Sequence, residues 1–166
     1  LGGARGILAD PAKGRQWLEK AAATGDATAV ERLRQLEKEM AGGRWEYELG
    51  QLAAEDEEGP QAVALFERSA ALGETRAMLA LGRLYRGGSG VTPDEGKVRA
   101  WFQRSADAGS AEGMVNLAFC HRDGVGGAPD LALARKWFEQ AARVATDPAD
   151  AKQAAAGLES IAGKTA

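Results

Sequence analysis

Apolar residues return along the chain at helical spacing. Over 75–86 they occupy Ala77, Leu81, Leu84 and Tyr85, the positions i, i+4, i+7 and i+8 that make one stripe down a helix. A glycine loop follows, Arg86-Gly87-Gly88-Ser89-Gly90. Thr92-Pro93-Asp94 then reads as a helix start: a capping hydroxyl, proline at the first helical position, and acids that complement the dipole. This second helix is predicted to end near Gly109. Prolines 11, 60, 93, 129 and 148 all fall at predicted helix starts. Inside a helix each would cost about 3 kcal/mol. Asp147-Pro148 therefore opens a last helix, to about Ala162, that can close the array.

The helix pair repeats. Ala100-Trp101-Phe102-Gln103-Arg104-Ser105-Ala106 returns as Lys136-Trp137-Phe138-Glu139-Gln140-Ala141-Ala142, a shift of 36 residues, and Gly90 and Asp94 shift equally to Gly126 and Asp130. Gly6, Asp10 and Trp17 keep the same internal spacings at an offset of 84. A weaker copy sits at Leu65-Phe66, with Glu58 in the Asp position. Trp17, Trp101 and Trp137 share one repeat position and are expected in the core.

These residues resemble the SEL-like repeats, relatives of the tetratricopeptide repeat. The resemblance lies in Ala77-x3-Leu81-Gly82-x2-Tyr85, then Gly88-x-Gly90-Val91-x2-Asp94-x2-Lys97, then Trp101-Phe102-x3-Ala106-x2-Gly109. The following unit keeps Leu117, Gly124, Gly126, Asp130, Trp137-Phe138 and Ala141-Ala142. It departs with Ala118 for Gly, His121 for Tyr and Ala145 for Gly, so its last turn is free to end differently. The N-terminal unit keeps Gly6, Asp10, Lys13, Trp17-Leu18, Ala21-Ala22 and Gly25. The implied fold is all-α, an α/α right-handed solenoid of helix-turn-helix units.

Two irregularities interrupt it. Leu1 is in phase with Tyr85, so the first unit lacks its first helix, and the chain is expected to be a piece of a longer array. Gly25 and Gly73 are 48 residues apart rather than 36, and the stretch between them holds two candidate first helices, 27–40 and 44–55, around Gly42-Gly43. The expected organisation is an incomplete repeat plus a following helix over 1–40, then a repeat array with a capping helix over 41–166. A single bent helix, and one continuous solenoid, are the alternatives.

Composition agrees with helices packed over small side chains: 35 Ala and 22 Gly against 15 Val, Ile and Thr together. A net charge of −3 and a pI of about 5.3 leave no basic excess for phosphates, which argues against nucleic acid. One Cys and one His exclude an intramolecular disulfide framework and a Cys/His zinc site, so no metal and no cofactor is expected. No apolar run is long enough to span a membrane.

In such arrays the first helices line the concave surface, so the resemblance implies a groove built from residues pointing away from the core stripe. Counted from Leu49, Leu81 and Leu117, the groove would present Arg44, Arg76, Arg83, Arg86 and Arg122 against a single acid, Glu112. Tyr47, Leu79, Val115 and Phe119 would add apolar contact, unless Tyr47, Leu79 and Val115 pack between neighbouring first helices. Such a groove suits a protein or peptide segment that is acidic or carries a free carboxylate, which Arg grips bidentately. Trp45 lies out of phase and is a candidate surface anchor.

Other motifs have structural readings. The glycine loops recur with the repeat and match no phosphate-binding fingerprint. Cys120 and His121 are neighbours on a helix and diverge by 100°, which opposes a dyad. Asp56-Glu57-Glu58 reads as a solvated loop rather than paired catalytic carboxylates. The leading expectation is a non-catalytic interaction or scaffolding module. The alternatives are a bacterial inhibitor or immunity-type protein, and an enzyme of cell-wall or β-lactam hydrolysis that lacks an evident nucleophile. The resemblance also suggests a periplasmic or secreted bacterial protein.

Overall fold

A computed structural model describes residues 19–88 and 90–162. The expectations placed on Leu1, Gly6, Asp10, Pro11, Lys13, Trp17 and Leu18 lie outside these residues. After a helical segment at 19–23 come α1 (Ala27–Met40), a 3-10 turn (Ala41–Gly43), α2 (Arg44–Glu55) and α3 (Gly59–Ala71). They are followed by α4 (Thr75–Gly87), α5 (Glu95–Asp107), α6 (Ala111–Asp123), α7 (Leu131–Val144) and α8 (Pro148–Ala162). No strand occurs among the described residues. From α2 onward each helix packs on the next, and α8 packs on both α7 and α6. First helices α2, α4 and α6 thus alternate with second helices α3, α5 and α7, and α8 takes the place of a further first helix. This is the two-layered α-solenoid implied by the repeat.

Local chemistry sets the bounds. The Asp94 and Asp130 carboxylates cap their helices by accepting from the backbone N–H of Lys97 at 3.0 Å and of Leu133 at 2.8 Å. Pro93 and Pro129 therefore precede the caps. This corrects the expectation that Thr92 caps the helix and Pro93 opens it. Glu58 holds the same repeat position but makes no side-chain cap bond. At the other end, Gly73 and Gly109 turn the chain with φ of 92° and 88°, a region that favours glycine. Ala145 cannot do this cheaply, and the chain instead leaves α7 extended, with φ −61° and ψ 121°. Gly42 and Gly43, with φ of 72° and 82°, end helical geometry between α1 and α2.

The core centres on one residue per unit. Phe66, Phe102 and Phe138 recur at 36-residue intervals in the second helices and are at most 2% exposed. Each needs a close-lying partner without a side chain. Gly50 faces Phe66 and Gly82 faces Phe102, where an added Cβ would run into the ring. In the last unit Ala118 stands in that glycine's place, and Gly157 of α8 comes against Phe138 instead. The tryptophans expected in the core are corrected: Trp101 and Trp137 are half-buried against its margin, and the Arg104 guanidinium covers Trp101 at 4.7 Å. Consecutive helical residues diverge by 100°, so only one of Trp-Phe can face the centre.

A pair of serines one repeat apart separates packing from hydrogen bonding. The buried Ser69 hydroxyl donates to the Gly43 carbonyl at 2.6 Å, tying α3 to the turn before α2. The equivalent Ser105 hydroxyl is buried without a partner. Ser69→Ala is expected to cost about 1–3 kcal/mol, whereas Ser105→Ala should be neutral or stabilise by up to about 1 kcal/mol. Urea melts of the two variants check this. Equal losses would contradict it.

Candidate functional site

The outward faces of α4 and α6 carry most of the residues singled out by the sequence, and the structure redistributes them. Arg76, Arg83 and Arg86 are exposed along α4. Phe119 and Arg122 are half-buried on α6, Tyr47 is half-buried on α2, and Arg44 is exposed at its start. For Leu79 and Val115 the packing alternative holds, which corrects their place in the groove: at 4% and 0% exposure they belong to the core and offer no groove contact. A first helix is flanked by neighbours on both sides, which narrows its open arc. That arc passes through the half-buried Ala80 and Asn116 instead. Asn116, one residue from Leu117, falls between the positions two and five residues from each core leucine that the sequence pattern singles out. Its side-chain amide donates to the Glu112 carbonyl at 2.9 Å.

The charges are also more balanced than expected. Beside Glu112, three further acids serve this face: Glu48, Glu74 and Asp123. Glu74 holds Arg76 through two bonds of 3.1 and 2.9 Å, and Asp123 holds Arg122 at 2.7 and 2.8 Å. These contacts lower the pKa of Glu74 and raise those of Arg76 and Arg122, in each case first through the shared side-chain hydrogen bonds. Arg83 pairs with Glu112, and Arg44 lies 3.9 Å from Glu48.

Several pairs join neighbouring first helices. Arg76 of α4 lies 4.7 Å above the Tyr47 ring of α2, and Arg83 of α4 reaches Glu112 of α6. Arg122 of α6 covers Phe119 at 4.7 Å and donates to Ser160 of α8 at 3.1 Å. These contacts link the exposed faces of α2, α4, α6 and α8. Arg86 is different. Among the described residues no carboxylate lies within salt-bridge distance of it, and its guanidinium rests 5.1 Å over the buried Phe102 ring.

Clefts indent the described surface, and two of them border these residues. One, of about 400 Å³, is lined by Tyr85, Arg86, Pro93, Glu95 and Val98 together with Phe119, Cys120, Asp123 and Val125. The other, of about 580 Å³, follows α2, where Trp45, Leu49 and Leu52 supply its apolar wall. Trp45 is half-buried there, its indole N–H buried without a partner.

The residues capable of chemistry are packed away. Cys120 is 1% exposed, and burial raises its thiol pKa, against the pull of Arg86 and Arg99. His121 is 8% exposed on the Tyr85 position, with its pKa lowered by burial and then by Arg99, while Asp130 opposes this. Asp56, Glu57 and Glu58 are exposed in the α2–α3 connection. No group of three or more metal-ligating side chains converges among the described residues, and no described helix is long and apolar enough to cross a membrane.

His121 gives a pH prediction. Its folded pKa lies below the unfolded value of about 6.5, so the unfolded chain takes up the proton first on acidification. The stability held above pH 6.5 is therefore expected to fall as pH drops through the window between the two values. Melting temperatures of wild type and His121→Tyr at pH 7.5 and 5.5 check this, with the smaller drop expected for the variant. Equal drops would show that His121 contributes nothing.

Comparison with known proteins follows the same lines. A family model, the Sel1 repeat, matches residues 1–26, 40–74, 75–110 and 111–143. The crystal structure of a Sel1 repeat protein from Oxalobacter formigenes is similar, with TM-score 0.57 and 26% identity over 85% of this chain and 96% of that one. A protective antigen present in uropathogenic Escherichia coli strains, displaying an SLR fold, superposes with TM-score 0.65 and 22% identity. That match covers 93% of this chain and 38% of the longer protein. None of the curated proteins matches the chain.

Proposed function

The chain belongs to the Sel1 repeat family, and on that footing we propose that it is a non-catalytic scaffolding module whose first-helix face, α2–α4–α6, holds a segment of a partner protein. Sel1 repeat proteins generally mediate protein–protein interaction. The observation that carries the particular reading is the set of Arg–acid and Arg–aromatic rungs along this face. They hold guanidinium groups in fixed positions while leaving Arg76 and Arg83 side chains 47% and 58% exposed. Preset groups lose less freedom on binding than loose ones. Cys120, buried and with a raised pKa, is unsuited to nucleophilic work, which supports binding over catalysis.

The test is affinity capture from native-source extract with three proteins. They are wild type, Arg76→Ala/Arg83→Ala on the proposed face, and Lys136→Ala/Gln140→Ala on the exposed side of α7. All three must melt alike, as expected when exposed ion pairs contribute only about 0–1 kcal/mol each. A partner lost by the first variant and kept by the second supports the reading. The opposite pattern, or retention by both, contradicts it.

A further inference from the structure

The five arginines singled out along the first helices are not equivalent. Arg44, Arg76, Arg83 and Arg122 each lie within 4.0 Å of a carboxylate. Arg86 has no such partner among the described residues; its guanidinium carbon lies 5.1 Å from the Phe102 ring centroid, and its planar N–H fork matches a carboxylate. Arg86 also borders the cleft of about 400 Å³, whose other walls include Pro93, Val98, Phe119 and Val125. One arginine without a carboxylate partner thus stands beside a recess with an apolar wall.

We propose that this cleft receives the C-terminal apolar residue of a partner polypeptide, its carboxylate on Arg86 and its side chain between Phe119, Val125 and Pro93. The inference deepens the reading of the first-helix face and rests on it. The choice of a chain end follows from geometry. In an extended peptide, successive side chains point to opposite sides, so an internal acid and its apolar neighbour cannot both enter one small cleft. At a C-terminus the carboxylate and the side chain branch from the same Cα. Glu95 and Asp123 also line the cleft, and Asp123 is already held by Arg122 through two bonds, so Arg86 is the one lining cation that a carboxylate can meet and a ligand with a single carboxylate suits it.

The experiment titrates the whole chain with N-acetyl-L-leucine, N-acetyl-L-leucinamide and N-acetyl-L-aspartyl-glycyl-L-leucinamide, an internal-acid probe. NMR follows the Val125 methyls, the Phe119 ring and the Arg86 Nε–H. The free acid is expected to bind saturably in the millimolar range typical of so small a ligand. The amide and the internal-acid probe should bind about tenfold more weakly, the loss expected for one charge-assisted hydrogen-bonded contact. Arg86→Gln should weaken the acid by the same factor and leave the amide unchanged.

Equal binding of acid and amide, equal binding of the internal-acid probe, an unaffected Arg86→Gln variant, or no saturable shift would each overturn the proposal. Partner capture that depends on Arg76 and Arg83 while the probes fail would overturn the cleft alone and leave the wider face standing. Capture that fails while the acid binds would do the reverse.

Discussion

Phe102→Ala is expected to cost about 3–5 kcal/mol, among the largest losses available from a single core truncation here. Phe102 is fully buried at the centre of the α4–α5 unit, with Gly82 against one side of its ring and the Arg86 guanidinium over it. Truncation removes the transfer energy of the ring and leaves a cavity that a helix pair locked on both sides cannot close. Domains of this kind are stable by only about 5–15 kcal/mol, so the loss is a large share of the whole. The array is quasi-one-dimensional, and a weakened middle unit should let its two ends unfold at different denaturant concentrations. Urea unfolding followed by helical circular dichroism should therefore show a lower midpoint and a broadened or two-step transition. A single transition shifted by less than about 1 kcal/mol would show that Phe102 is not the keystone of that unit.

Gly82→Ala is expected to destabilise although it improves helix propensity. An alanine in a helix interior gains about 1 kcal/mol over glycine. At Gly82 the new methyl would run into the Phe102 ring, and overpacking of this kind costs about 1–3 kcal/mol, so the balance lies on the side of loss. The signature is coupling to the partner. Phe102→Leu alone should also cost stability, but in the double variant Gly82→Ala/Phe102→Leu the two costs should sum to less than their separate values. A double-mutant cycle by urea melts measures this. Stabilisation by Gly82→Ala alone, or strict additivity, would contradict the contact. Ala118 stands in the same repeat position one unit later and is accepted there, because Phe138 is met by Gly157 of α8 instead.

Much of this architecture was legible in the sequence, because period and glycine placement report backbone needs directly. The two helices 27–40 and 44–55, the break at Gly42-Gly43 and the last helix from Pro148 follow from such signals. Side-chain choices were less legible. Trp101-Phe102 gives two apolar residues at one repeat position, and the period does not say which one faces the centre. Leu79 and Val115 sit opposite the core stripe in a helical projection, but flanking helices cover that side too. The pairing of Arg76 with Glu74 and of Arg122 with Asp123 depends on rotamers at helix ends, to which a facing rule based on turn spacing is blind. A count of charges therefore overstated how many of the five arginines stand without an acid.

The claim that function lies on the first-helix face is tested most directly by site-specific photo-crosslinking in native-source extract. A photoreactive residue replaces Arg83 on α4 in one protein and Gln140 on α7 in another, both exposed positions on different layers. The account predicts a protein adduct from position 83 that is absent from position 140. An adduct formed only from position 140, or equally from both, would place the interaction outside the face built by α2, α4 and α6.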